Sequence, residues 1–375
     1  MSSTVLRQVP YVNFKAQYAA EKDVLLAAVT RTMASGQYIL GPEVERFEKK
    51  LAEFCGVKHA IGVSSGTAAL VLGLKILGVE PGDEVIVPPN SFVASATAAV
   101  LLGAKPVFAD VREDLNIDPQ AIEKVITARS KVIMPVHLTG RMADMDAITQ
   151  VAQAHGLKIL EDAAQAIGAT WDGKKAGAWG HAAAFSMHPL KNLNAMGDAG
   201  AITTHDDGLA ARLRVLRNLG LKNRDEVVEW SDNMRLDELQ AAILNVRLER
   251  LTDVTEKRRA HAQRYRERLG DVAGLRCPQD APQCYAVYHV FIIQCEQRDA
   301  LQKFLMEQGI ETKIHYPIPI HRQPCAAKLG YATGSFPVAE AQARQILSLP
   351  IHQHLEIADI DYVSAKIRKF FGAQA

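Results

Sequence analysis

Disulfide pairs, zinc ribbons and nucleotide-binding glycine loops are all missing from this chain. Its cysteines, at positions 55, 277, 284, 295 and 325, are odd in number and irregularly spaced, with no CxxC pair. That excludes a disulfide framework and a zinc ribbon, and makes a reducing cytoplasm the expected setting. There is no GxGxxG turn for a dinucleotide, no Walker loop and no HExxH. The histidines at 181, 188, 315, 321, 352 and 354 make no ligand spacing, so no metal is expected. An excess of either charge is also lacking. Lys and Arg total 43 against 42 Asp and Glu, for a net +1, and both signs are spread along the chain. Without a basic stripe or an acidic tail, nucleic acid is not an expected partner. Met1–Pro10 lacks the apolar core of a signal peptide. Residues 85–104 carry no charge, but Pro88, Pro89, Asn90, Ser91, Ser95 and Thr97 divide them. They read as a buried strand, a turn and a small-residue helix, so no membrane span is expected.

What is present is an alternation of two periods. Short β-rich runs at 84–87, 106–109, 131–136 and 157–160 alternate with helical patterns at 92–102, 119–127 and 144–155. Such alternation predicts an α/β fold with a mostly parallel central sheet and helices on both faces. The 375 residues allow two to three domains. From Arg235 to about Leu269 the chain reads as one long helical stretch, and the boundary is set there. Residues 1–250 form a large cofactor-binding domain with an N-terminal arm, and residues 251–375 a smaller α+β domain. The latter contains a strand over Val287–Ile293, a helix over Arg298–Gln308 and a terminal helix.

Two separated stretches carry chemistry. Lys191 lies in Phe185-Ser-Met-His-Pro-Leu-Lys-Asn-Leu193, and Asp162 in Glu161-Asp-Ala-Ala-Gln165. A lysine amine condenses with an aldehyde, and a carboxylate keeps the ring nitrogen of pyridoxal phosphate protonated so that the ring can accept electrons. The strand-like runs 157–160 and 182–185 precede the two residues, which places both at one edge of a sheet. Taken singly, a lysine is usually a solvated charge and an aspartate after a strand a turn former. The pair points to a pyridoxal phosphate site. Ser64-Ser-Gly-Thr67 supplies a phosphate cradle, because the strand at 60–63 runs there into a helix whose free N–H groups and dipole favour an anion. Ser186 adds a hydroxyl, and Phe92 a ring that stacks on the pyridine or else joins the core.

The spaced motifs Ser35-Gly-Gln-Tyr-Ile-Leu-Gly-Pro-Glu43, Ser64–Thr67, Pro81–Pro88, Pro135-Val-His-Leu138, Glu161–Gln165, the Lys191 segment, Gly197-Asp198, Asn233–Gln240 and Ile314-His-Tyr-Pro317 run almost from end to end. On them the chain resembles the DegT/DnrJ/StrS family of sugar aminotransferases, of the aspartate aminotransferase fold (fold type I). The resemblance implies that Lys191 is the Schiff-base lysine, that Asp162 pairs with the pyridinium and that Gln165 approaches the ring oxygen. It further implies that Phe92 stacks and that Gly66, Thr67 and Ser186 hold the phosphate. Asn233 would reach the phosphate of the neighbouring subunit in a homodimer with shared active sites. Met187, Leu190, Ala199 and Ser231 depart from the family pattern.

The implied reaction moves an amino group from L-glutamate to a nucleotide-linked keto sugar. A 3-keto-6-deoxyhexose is favoured over amination at C4, over a glutamine-dependent cyclitol aminotransferase and over a non-catalytic cofactor-binding regulator. The proline-stiffened segment Thr312–Pro324 presents His315, Tyr316 and His321 to the sugar, the alternative being a rigid connector whose histidines face solvent. Lys222 and Arg224, ahead of Asn233, are candidates for the diphosphate.

Overall fold

The computed structural model describes residues 6–373. Its centre is a seven-stranded sheet of β1 (His59–Val63), β2 (Glu84–Val87), β3 (Lys105–Phe108), β4 (Ser130–Ile133), β5 (Lys158–Asp162), β8 (Ala182–Ser186) and β9 (Gly200–Thr204). The spatial order is β1-β9-β8-β5-β4-β2-β3, and all neighbours are parallel except around β9, which runs against both β1 and β8. β2 reads Glu-Val-Ile-Val and is buried on both faces, as strands of a covered parallel sheet are. The uncharged run after it resolves into Pro88–Val93 and then helix α4 (Ala94–Leu101). Among the described residues no helix is long and apolar enough to cross a membrane.

Helices cover both faces. α2 (Pro42–Cys55), α5 (Pro119–Val125) and α6 (Met145–His155) lie over one core; α3 (Gly66–Ile76), α4 and α7 (Asp207–Leu216) lie over the other. α3 is apolar all round and is sandwiched rather than amphipathic. Its Gly73 permits close approach to the sheet, since a Cβ there would come within 2.7 Å of Leu160 Cδ1. Helix α1 (Phe14–Ser35) packs on α8 (Glu238–Leu248).

The helical stretch after Arg235 is two helices, not one. α8 ends at Leu248 and α9 (Leu251–Leu269) starts after two intervening residues. α9 begins with Leu251 in the first core and ends with Ala262, Tyr265 and Leu269 in a third. That third core is built with α10 (Arg298–Glu307), α12 (Ile357–Phe370) and the antiparallel pair β11 (Phe291–Gln294) and β12 (Ile346–Leu349). Val9 belongs to it too, through a bridge to Ile310. α11 (Pro337–Gln345) turns the other way, with Ala339 and Phe336 in the core that holds α3. A small sheet of β6 (Thr170–Trp171), β7 (Lys174–Lys175) and β10 (Cys284–Tyr285) ties the two regions together.

The strand expected over Val287–Ile293 is shorter than its β-branched content suggests. Only Phe291–Gln294 pairs with β12. Upstream, Val287 N–H donates to Gly140 O and Val290 N–H to Thr139 O, and Tyr288 adopts a positive φ of 45°. Competition from that turn takes 287–290 out of the sheet and sets His289 beside the site.

Candidate active site

Asp162 is the last residue of β5 and pairs in register with Ala184 of β8, two residues before Ser186. The two strands therefore deliver both side chains to one sheet edge, against the start of α3. Gly66, Thr67, Phe92, Asp162, Gln165, Ser186, Lys191, His315 and Tyr316 line one cavity there, of about 300 Å³. That volume is at the lower end of the range for small-molecule sites.

The cradle is steric as well as electrostatic. A Cβ on Gly66 would lie 2.6 Å from Ser186 Cβ and 3.2 Å from its Cα, so only glycine lets α3 begin so near β8. Ser65 caps the helix, its Oγ accepting from Ala68 N–H at 3.1 Å. The other first-turn N–H groups, of Gly66 and Thr67, have no partner one helical turn earlier and can meet an anion.

Asp162 is buried and fixed on both oxygens. Ser95 Oγ donates to Oδ2 at 2.7 Å, Ala164 N–H donates to Oδ1 at 3.2 Å, and Ser95 is itself 2.8 Å from Ser91 Oγ. Burial pushes the Asp162 carboxyl above its ordinary pKa; Ser95, Ala164 and Lys191 work in the opposite direction. A cationic N–H against this carboxylate would offset that burial. Lys191 sits in a pinned loop in which Met187 N–H donates to Ala199 O and Ala195 N–H to Met187 O, at 2.8 and 2.7 Å. Asn192 Nδ2 anchors the loop to Val287 O at 3.0 Å. Burial lowers the Lys191 amine to about 8, against the pull of Asp162.

Gln165 is oriented by Thr139, whose N–H donates to Oε1 at 2.7 Å. Phe92 is 56% exposed in this chain and so is not a core residue. Its ring lies 5.8 Å from that of Tyr316, centroid to centroid, and the two make an aromatic rim. His315 Nδ1 is 2.8 Å from Ser348 Oγ. Burial, reinforced by Lys191 and Lys313, brings His315 down to about 4, so the ring is neutral near pH 7. Tyr316 is held protonated: burial and then Asp162 push its hydroxyl upward, against Gln165.

Four of the expected residues lie elsewhere. Lys222, Arg224 and Asn233 are exposed, and Lys222 faces Glu226 at 3.3 Å. They flank a projecting loop that carries Trp230, 90% exposed. His321 is a correction. It is 3% exposed, with Nε2 3.0 Å from Glu340 Oε1 and its ring 4.7 Å from that of Phe336. It is packed with Phe108 and Tyr331 under the loop rather than presented to a ligand.

Sequence reasoning missed Ser95, His289 and the pair His137–Glu161. Both members of that pair are fully buried, with Nε2 3.0 Å from Oε2. Glu161 also accepts from the N–H groups of Gly177, Trp179 and Gly180. Burial opposes its charge, but His137 and the N–H groups of Gly180 and Gly177 outweigh it and hold the carboxyl below its ordinary range. The pair fixes the strand end next to Asp162, whose backbone exchanges hydrogen bonds with His137 N–H and Pro135 O. Ser95 carried one legible signal, a hydroxyl at the second position of a small-residue helix whose one other polar residue is Thr97.

Comparisons with known proteins agree with this geometry. Residues 20–368 match the DegT/DnrJ/EryC1/StrS aminotransferase family. The chain is 46% identical over 350 residues to the dTDP-3-amino-3,4,6-trideoxy-alpha-D-glucose transaminase of Streptomyces venezuelae, covering 93% of this chain and 92% of that one. It is 44% identical over 361 residues to the erythromycin biosynthesis sensory transduction protein EryC1 of Saccharopolyspora erythraea, covering 96% and 99%. The crystal structure of S. venezuelae DesV in complex with a ketimine intermediate superposes with a TM-score of 0.96 at 44% identity, over 98% of this chain and all of that one.

Proposed function

The chain belongs to the DegT/DnrJ/EryC1/StrS aminotransferase family, and from that premise we propose that it moves an amino group from L-glutamate to C3 of a nucleotide-linked 3-keto-6-deoxyhexose. The observation that carries the reading is the meeting of Lys191, Asp162 and the Gly66 cradle in one cavity. A C3 acceptor is supported by the Streptomyces venezuelae relative, whose name places the amino group at that carbon.

Aminotransferases of this family depend on pyridoxal phosphate, and the residues present fit it. The glycine that a Cβ would turn into a clash, the buried carboxyl fixed by Ser95 and the low-pKa amine match its phosphate, ring nitrogen and aldehyde. When bound, this group withdraws electrons from the carbon bearing the transferred nitrogen. Gly66, Thr67 and Ser186 would hold the phosphate. Asp162 would keep a proton on the ring nitrogen, Gln165 would meet the ring oxygen and Phe92 would cover the ring.

Lys191 would hold the aldehyde of this group through its amine, and that amine, when free, can take and return a proton at the substrate carbon. With a pKa of about 8, about one lysine in ten is neutral at pH 7, against about one in three thousand at the ordinary value. His315 and Tyr316 face the sugar, as a neutral imidazole and a protonated phenol.

Asn233, Lys222 and Arg224 serve the site of a second copy in a homodimer. The exposed apolar side chains of α1, Phe14, Tyr18, Leu26 and Met33, and Trp230 on the projecting loop support that assembly. The two domains meet between α8 and α9, at residues 250 and 251. A cytoplasmic setting accords with five cysteines that are all free.

The test is a turnover screen of keto sugars on dTDP and UDP with glutamate and with glutamine, read by mass spectrometry. Amination of a 3-keto-6-deoxyhexose with glutamate is the expected result; amination of 4-keto sugars alone overturns the C3 assignment. A yellow protein that glutamate does not bleach, with no turnover on any sugar, would favour a regulator.

A further inference from the structure

The loop that carries Lys191 is gripped from outside the cavity by two helices. α1 buries the stripe Gln17, Glu21, Leu25, Ala28 and Thr32, and Gln17 and Glu21, one turn apart, share a face of it. α8 brings Gln240 and Arg247, two turns apart, to the same loop. Arg247 uses its whole fork. Nε and Nη2 lie 3.0 and 2.9 Å from Glu21 Oε2, while Nη1 donates to the backbone O of Asn194 at 2.7 Å and of Ala195 at 3.4 Å. Both members of this ion pair are buried.

The loop is closed at the same place. Asn194 exchanges amide hydrogen bonds with Gln17 at 3.0 and 3.3 Å, and its Nδ2 also donates to Pro189 O at 2.7 Å. Residues 189–194, with Lys191 among them, are thereby drawn into a ring. Gln240 takes Met196 by both backbone groups, accepting from its N–H at 2.8 Å and donating to its O at 2.9 Å. Gln17, Glu21, Asn194, Gln240 and Arg247 are not among the residues lining the cavity that Lys191 shares with Asp162. A buried ion pair adds little net stability. A guanidinium, unlike an ammonium, presents its donors in a fixed plane, so the arrangement that satisfies Glu21 also fixes where the Asn194 carbonyl must lie.

We propose that Arg247, anchored by Glu21, is a positioning residue for Lys191. It holds the backbone at Asn194 and Ala195, and Gln240 holds it at Met196, so that the amine meets the aldehyde in one orientation. This role rests on the reading above, in which Lys191 binds the cofactor aldehyde. Misplacing a reacting group by about 1 Å costs up to about a hundredfold in rate, which sets the scale of the effect.

Capture joins the Lys191 nitrogen to the aldehyde carbon, and the aldehyde oxygen leaves as water with the two amine hydrogens. Pyridoxamine phosphate has an amine in place of that aldehyde, so it fills the same site without using Lys191. Full-length wild type, Arg247→Lys, Gln240→Ala and Lys191→Ala, freed of cofactor, are compared at one pH. Stopped-flow absorbance gives the rate of pyridoxal phosphate capture, and fluorescence titration gives the affinity for pyridoxamine phosphate. Arg247→Lys keeps a cation beside Glu21 but lacks the fork, and half-buried Gln240 can be truncated without opening the core. Capture is expected to slow about tenfold in Arg247→Lys and about threefold in Gln240→Ala, with pyridoxamine phosphate affinity within about twofold of wild type in both. Gln240→Ala decides the matter should Arg247→Lys fold poorly. Unchanged capture rates overturn the proposal. So does an equal loss of capture and of pyridoxamine phosphate affinity, which would mean that the two residues support the whole site. Lys191→Ala protein that captures like wild type removes the reading of Lys191 itself. If it captures nothing while the other two variants match wild type, only the positioning role falls.

Discussion

Replacing Gly66 with alanine tests the cradle at its tightest point. The new methyl would meet Ser186 Cβ at 2.6 Å, Oγ at 3.0 Å and the Ser186 Cα at 3.2 Å. Two effects then oppose one another. Alanine in place of glycine favours a helix by up to about 1 kcal/mol, less at a first-turn position, whereas forcing a methyl into a packed contact costs about 1–3 kcal/mol. The stability of the cofactor-free protein therefore falls by no more than about 3 kcal/mol. Cofactor affinity suffers more, because the strand or the helix start must shift just where N–H groups and the Ser186 hydroxyl converge. Losing one or two hydrogen bonds to a charged group, at about 1.5–3 kcal/mol each, weakens the dissociation constant by ten- to a hundredfold or more. Titrating cofactor-free protein with pyridoxal phosphate by fluorescence measures the affinity, and the melting shift between free and loaded protein measures it independently. The double variant Gly66→Ala with Ser186→Gly relieves the 2.6 and 3.0 Å contacts and recovers stability, but not affinity, since the hydroxyl is gone. An affinity of Gly66→Ala within threefold of wild type would refute the reasoning.

Lys191 should titrate near pH 8, because burial disfavours its ammonium form more than Asp162 favours it. The neutral amine captures the aldehyde, so the rate of recombination with the cofactor rises through pH 8, and Asp162→Asn moves the midpoint down; a midpoint near 10.5 in wild type contradicts this. The same depression means that the unfolded chain binds the proton more tightly. The cofactor-free protein therefore gains stability as pH rises from about 8 to 10.5, and Lys191→Met flattens that slope. Mixing inactive Lys191→Ala with inactive Asn233→Ala protein restores part of the activity through subunit exchange, and exchanged mixtures that recover none argue against shared sites. His321→Leu removes one hydrogen bond from Glu340, which keeps the N–H groups of Gly334 and Phe336, and lowers stability by about 1–3 kcal/mol. The acceptor's Michaelis constant stays near wild type, and a rise above tenfold would return His321 to the substrate.

The sequence by itself determined the frame and the meeting of Lys191 with Asp162 at one cavity. The two were legible because the roles proposed for them follow from side-chain chemistry, and their position at a sheet edge from the alternation of period-2 and period-3.6 runs. β2, α5 and α6 were likewise readable, because each buries a face whose pattern is local. Tertiary structure decided the rest. Phe92 and His321 were ambiguous because burial depends on what arrives from far along the chain. Nothing in the described residues covers Phe92 completely, whereas Phe336, Glu340 and Tyr331 enclose His321. Val287–Val290 has strand composition, yet Val287 and Val290 donate to Gly140 and Thr139 of a distant turn rather than to β12. Ser95 meets Asp162 across 67 positions, and Arg258 holds the backbone of His289 across 31. A lone serine or arginine carries no mark of such a partner, since packing, not local propensity, brings the two together.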